Sequence, residues 1–328
     1  MHKIISVVLL IVAVGEGCSS QSAMVPSTPP RSEGCSNLLN EYVDKDHAPE
    51  LVVYEGKPHG ISTYKKFAID HVDQALAHYF ANKQTAQPVV LYIHGRALKD
   101  TKIGEYDREP EESRNDIVPV FSAKYHLDTV LMLHWPHRRT ANAYPEDDAR
   151  FASNALLCTV QRLNSPDFNA TKYPGIRALV THSMGALVLE QAVNTSSEDM
   201  GGFDVASIFA AANRANSATS WLSKIRAHKQ YVVVNTSDII LTGLRKNLSF
   251  MPLGMCDRKC FEENPPADNV VYLDVTCILG LWRWRHDYFV KGEVAEKVVT
   301  RILSGESPPM GTRGVSDNHR IIREQDLY

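Results

Sequence analysis

The stretch that decides the fold is RALVTHSMGALVLEQAV, from Arg177 to Val193. Ala178, Leu179 and Val180 are uncharged and β-prone, the pattern of a strand covered on both faces. After Gly185 the period changes. Leu189, Ala192 and Val193 recur at helical spacing, with Glu190 and Gln191 between them. The chain therefore turns from strand into helix within a few residues, and Ser183 stands in the turn. A serine there sits at the carboxyl edge of a sheet beside the free N–H groups of a helix start, which puts a hydroxyl next to an anion site. Against the pattern G-x-S-x-G, Gly185 is present and Thr181 stands at the first position. Threonine's branched Cβ predicts a more strained turn. The same residues also fit a serine that only caps a helix.

The flanking sequence repeats the alternation. Runs at 50–56, 88–95, 128–136, 204–213, 230–238 and 269–276 read as strands. Runs at 65–83, 146–164 and 294–303 read as helices, with Asp147 and Asp148 in a first turn where the helix dipole favours acids. Strands alternating with helices predict an α/β protein with a mostly parallel central sheet and helices on both faces. Ligands on such sheets bind beyond the carboxyl ends of the strands.

Four strand ends carry chemistry. Gly95 and Arg96 follow the 88–93 strand, Ser183 follows the 177–181 strand, Asp238 closes the 230–238 run, and His286 lies in the loop after 269–276. Reading along the chain gives Ser, Asp, His, the order of an α/β-hydrolase triad. A serine hydroxyl needs an adjacent base, a neutral imidazole supplies it near neutral pH, and a carboxylate behind the imidazole fixes its tautomer. Backbone N–H groups of Met184 and near Arg96, with Gly95 allowing close approach, are the expected oxyanion donors. Other readings stay open at this point. Asp238 ends a turn-prone Asn235-Thr236-Ser237-Asp238, and Asp274 is a rival acid inside a strand. His286 could be a surface histidine, and His319 is the other late histidine. His94 is expected to shape the oxyanion loop. His134 and His137 flank Trp135-Pro136 without clustered ligands, so no metal and no cofactor are expected. In LWRWRHDYF (281–289) packing with snorkelling arginines is favoured over a pocket lining or contact with lipid head groups.

These motifs together resemble the bacterial α/β-hydrolase-fold family of uncharacterised esterase/lipase-like proteins. The resemblance rests on His94-Gly95, Trp135-Pro136, Tyr144 with Asp147, His182-Ser183-Met184-Gly185, Asp238 and His286-Asp287-Tyr288-Phe289, and covers roughly 85–300. It implies the α/β-hydrolase fold and ester substrates. Thr181 and the segment Ala211-Ala212-Asn213, where relatives often carry an acid, depart from the family pattern.

The N-terminus reads differently. Met1-His2-Lys3 precedes the apolar run Ile4 to Val14, too short to span a bilayer and suited to a secretory signal. Gly15, Glu16 and Gly17 lead to Cys18, which resembles the lipidated cysteine of a bacterial lipoprotein; an ordinary cleaved signal or an uncleaved anchor are the alternatives. The expected organisation is a lipoprotein-type signal at 1–17, a Ser/Pro-rich linker at 18–36, the hydrolase domain at 37–304 and a flexible tail at 305–328. The expected location is the bacterial cell envelope, lipid-anchored on a periplasmic face, with the outer membrane favoured over the inner. Of the six cysteines, Cys256 and Cys260 form the expected local disulfide. A net charge of −3 gives no support to a nucleic-acid partner. The leading function is a serine hydrolase of carboxylic esters, lipid acyl esters included, with an acyltransferase not distinguished. The alternative is a catalytically weak hydrolase-fold lipoprotein that serves as a binding or envelope-assembly module.

Overall fold

The computed structural model describes residues 48–55, 63–95, 124–136, 144–196 and 200–328. The expectations for the signal, Cys18, the linker and Arg96 fall outside the described residues. Strands β3 (Val89–Ile93), β4 (Thr129–His134) and β5 (Arg177–His182) are buried at every position. Side chains alternate between the two faces of a strand, so a fully buried strand is covered on both. Around this centre lie β1 (Glu50–Glu55), β2 (Thr63–Ala68), β6 (Phe203–Phe209), β7 (Ala227–Val234), β8 (Val271–Asp274), β9 (Thr312–Arg313) and β10 (His319–Ile321). The sheet order is β2-β1-β4-β3-β5-β6-β7-β8-β10-β9. Pairing is parallel from β4 through β8 and on to β10. Only β1, with β2 and β4, and the β9–β10 pair are antiparallel.

The helices are α1 (Val72–Asn82), α2 (Glu146–Leu163), α3 (Gly185–Thr195), α4 (Ala218–Leu222), α5 (Ile239–Leu248), α6 (Arg258–Glu263) and α7 (Thr300–Leu303), the last preceded by a π-helical turn at Val294–Val299. Helix α2 packs against both α1 and α3. At the root of β5, the Arg177 guanidinium is buried and donates to the carbonyls of Leu163 and Phe168, while its amide donates to Asp204. That anchors the strand whose far end carries Ser183. A mostly parallel sheet, covered on both faces, whose central strand turns abruptly into a helix at a serine is the α/β-hydrolase fold.

Two expectations change. The helix read at 65–83 begins as β2, which pairs antiparallel with β1, and is helical only from Ile69, first as a 3-10 turn (Ile69–His71) and then as α1. Only Phe67 of β2 is buried, so pairing with β1, and not burial of a stripe, settles its form. The tail read as flexible at 305–328 instead adds two strands. β10 pairs parallel with β8, Tyr272 donates its amide to the Asn318 carbonyl, and His319 and Ile322 are buried. The backbone groups at the edge of β8 require partners, and the C-terminal segment supplies them.

Candidate active site

Ser183 has φ of 53°. This left-handed conformation is strained for a residue with a Cβ and costs on the order of 1–3 kcal/mol. Backbone bonds hold it from the end of β6 and the residues that follow: Ser183 N–H donates to the Phe209 carbonyl at 2.9 Å, and the Ser183 carbonyl accepts from Ala212 N–H at 3.2 Å. Two glycines allow the turn to sit against the end of β3. A Cβ on Gly185 would stand 2.4 Å from the Ile93 oxygen and 2.6 Å from the His94 oxygen. A Cβ on Gly95 would stand 2.6 Å from Ser183 Cβ. Met184 takes the N-cap place of α3, and no side chain caps that helix. Arg96, the other expected contributor of an oxyanion donor, lies outside the described residues.

Thr181 does not carry the strain expected of it. It is an ordinary strand residue, in register with Ile93 and Ile208, and all the distortion falls on Ser183. Its cost is of another kind: its buried hydroxyl has no hydrogen-bond partner.

Asp238 is fully buried at the N-cap of α5. One carboxylate oxygen, Oδ1, accepts from the amides of Ile240 at 2.9 Å and Leu241 at 3.0 Å. The other, Oδ2, lies 2.7 Å from His286 Nδ1. A carboxylate only accepts, so Nδ1 is the donor, and the lone pair of a neutral imidazole held this way is on Nε2. That nitrogen is buried and has no hydrogen-bond partner, so Ser183 Oγ and His286 Nε2 are not bonded to each other. Catalytic contacts of this type are commonly open in the free enzyme and close around substrate.

The rivals are engaged elsewhere. Asp274 accepts the Thr276 amide at 3.0 Å. His319 packs on the Phe261 ring, 4.4 Å between centroids, and its Nδ1 accepts the Val315 amide at 3.2 Å. His94 is buried and held between the ends of β3 and β4. Its Nε2 accepts the Trp135 amide at 3.2 Å, so Nδ1 bears the proton and donates to the Gly95 carbonyl at 2.5 Å. His134 Nδ1 lies 3.1 Å from the same Nε2.

Three residues that carry no separate role in the sequence reading fix the site. In the sequence Asn235 is part of a turn-prone run; fully buried, it donates from Nδ2 to the carbonyls of Arg283 at 2.8 Å and Arg285 at 3.3 Å, which pins the His286 loop to β7. The Tyr288 hydroxyl donates to the Val233 carbonyl at 2.7 Å and accepts the Ala210 amide at 3.1 Å. His182 places its ring 4.6 Å from that of His286, with Nε2 3.2 Å from the His286 carbonyl. Burial holds His182 well below the usual imidazole range, and the neighbouring His286 pushes the same way. The sequence signal was present for Asn235, a polar residue directly after an apolar strand. It was absent for Tyr288, which reads as one aromatic among several.

Elsewhere, Cys256 and Cys260 are bridged, their Cα atoms 5.3 Å apart, and Cys277 is free and exposed. The stretch Leu281 to Arg285 is exposed at all five residues, which replaces the expectation of ordinary packing there.

No family model matches the chain, and no curated protein matches it in sequence. Among solved structures it is similar to an inhibited esterase B from Lactobacillus rhamnosis, at 12% identity and TM-score 0.36, over 65% of this chain and 74% of that one. It is also similar to the Pyrobaculum calidifontis esterase, at 11% identity and TM-score 0.34, over 67% of this chain and 76% of that one. These likenesses say nothing of substrate.

Proposed function

We propose that the protein is a serine hydrolase that cleaves carboxylic esters through an acyl-enzyme. The observation that carries the reading is the part-buried Asp238–His286 bond, 2.7 Å, which leaves Nε2 of the imidazole as an open base in the same strand-end cluster as a strained serine. Ser183 Oγ attacks the ester carbonyl and its proton passes to His286 Nε2. The Met184 amide, with one from the Gly95 loop, holds the oxyanion. His286 returns the proton to the departing alcohol. A water, deprotonated by the same nitrogen, then attacks the acyl carbon and releases the carboxylic acid. Lipid acyl esters are the narrower substrate class we favour. The apolar run before Cys18 supports a lipid anchor in a bacterial envelope as its setting, and Ser19, which is not the aspartate that retains lipoproteins at the inner membrane, favours the outer one.

A fluorophosphonate probe should label the wild type at Ser183. Ser183→Ala and His286→Ala should each lose nearly all turnover of p-nitrophenyl esters, and the double variant should be no worse than either, because such residues act as a unit. Thermal melts check that the variants remain folded; Ser183 does not cap the helix, so its loss is not expected to cost a cap's stability. Substantial turnover by Ser183→Ala would overturn the reading.

A further inference from the structure

Among the described residues seven large apolar side chains are exposed, and five lie in two segments that meet: Ile239, Ile240, Leu281, Trp282 and Trp284. The Ile239 amide donates to the Trp284 carbonyl at 3.4 Å, so the two segments are neighbours. Scattered exposed apolar residues need no account, but a cluster of this kind marks a contact surface. Each segment of the cluster adjoins one member of the Asp238–His286 pair in the chain, since Asp238 precedes Ile239 and His286 follows Arg285.

We infer that this patch is a docking surface for an anionic lipid bilayer, separate from any anchor at the N-terminus. Three features select that occupant. First, the apolar residues protrude: Leu281 is 94% exposed and Trp284 54%, and such tips enter a deformable lipid surface without needing a matching groove. Second, tryptophan is the side chain best suited to the boundary between head groups and acyl chains. Third, charge accompanies it. Residues 281–291 contain Arg283, Arg285 and Lys291 against the single carboxylate of Asp287. Asp287 is occupied by Arg285 at 2.9 Å and Lys291 at 3.6 Å. The Arg283 guanidinium lies over the Trp284 ring, 4.5 Å from its centroid, with no carboxylate partner among the described residues. Helix α5, which starts with Ile239 and Ile240, ends in the exposed pair Arg245 and Lys246. Docked this way, the site would open onto the lipid. The inference concerns binding alone, so it stands or falls apart from the hydrolase reading.

The test uses the full chain and vesicles of mixed phosphatidylglycerol and phosphatidylcholine with brominated acyl chains. Of the four tryptophans, Trp135 and Trp221 are fully buried, so quenching by lipid-phase bromine reads Trp282 and Trp284. The wild type should bind with quenched, blue-shifted emission, and should bind less as salt is raised. A Trp282→Ser/Trp284→Ser variant should partition about tenfold more weakly. Arg283→Gln should lose about fivefold on the anionic vesicles and nothing on pure phosphatidylcholine. Near-ultraviolet circular dichroism of the buried tryptophans checks that the variants are folded. The inference is overturned by unquenched emission from vesicle-bound wild type, by equal partition of the double-tryptophan variant, or by self-association of the wild type that this variant abolishes, since the patch would then face a second copy.

Discussion

Asp238 does two jobs with two oxygens, and they can be separated. Oδ1 caps α5 and Oδ2 orients His286. Asparagine keeps one acceptor oxygen for the helix but cannot hold the imidazole in the right tautomer while doing so. Asp238→Asn is therefore expected to lose about 10⁴-fold in ester turnover, the penalty of a wrong tautomer, with little change in melting temperature. Asp238→Ala should lose comparable rate and also stability, by about 1 kcal/mol or more for the lost cap. Turnover assays paired with melts check this; equal stability of the two variants would contradict the capping role.

At the scale of elements, the elbow depends on how closely α3 approaches β3. Gly185→Ala would force a Cβ into two backbone oxygens that cannot rotate away. The helix must shift, at a cost of about 1–3 kcal/mol, and turnover is expected to fall by more than stability does, since small misplacements of reacting groups are amplified in rate. This geometry was legible early: the change of period at 177–193 located both elements, and Gly185 marked the close approach. Two other elements were not legible, for identifiable reasons. β2 carries Tyr64 and Phe67 three residues apart and runs into α1 with no glycine or proline between, so its spacing imitates the helix that follows. β10 is His319-Arg320-Ile321, too short and polar to register as a strand; only the open edge of β8 gives it a form. Truncation after Gly311 is therefore expected to lower the melting temperature markedly or cause aggregation through the bared β8 edge. Wild-type stability in that truncation would restore the reading of a flexible tail.

For the whole molecule, buried histidines set the response to acid. Burial holds His182 and His319 below the usual imidazole range, so the folded state keeps both neutral while the unfolded state binds protons from about pH 6.5 downward. Their contribution is complete above that pH and is lost as pH falls. Stability should decline below about pH 6.5, by up to about 1.4 kcal/mol per pH unit for each group. Thermal melts across pH 5 to 8 check it, and His182→Gln should flatten the slope. The sequence named His182 only as part of the elbow and His319 as part of a tail; what makes either matter is depth, and depth comes from the packing of distant strands.

The backbone bonds from Phe209 and Ala212 to Ser183 have a consequence for how the site responds to substitution. They tie the serine to the sheet through main chain. His286 instead follows an exposed loop and is moored by side chains, Asn235 and Asp238. On the proposed reading, a substitution can therefore loosen the histidine side of the site, whereas the bonds that hold the serine are main chain and outlast the loss of any one side chain.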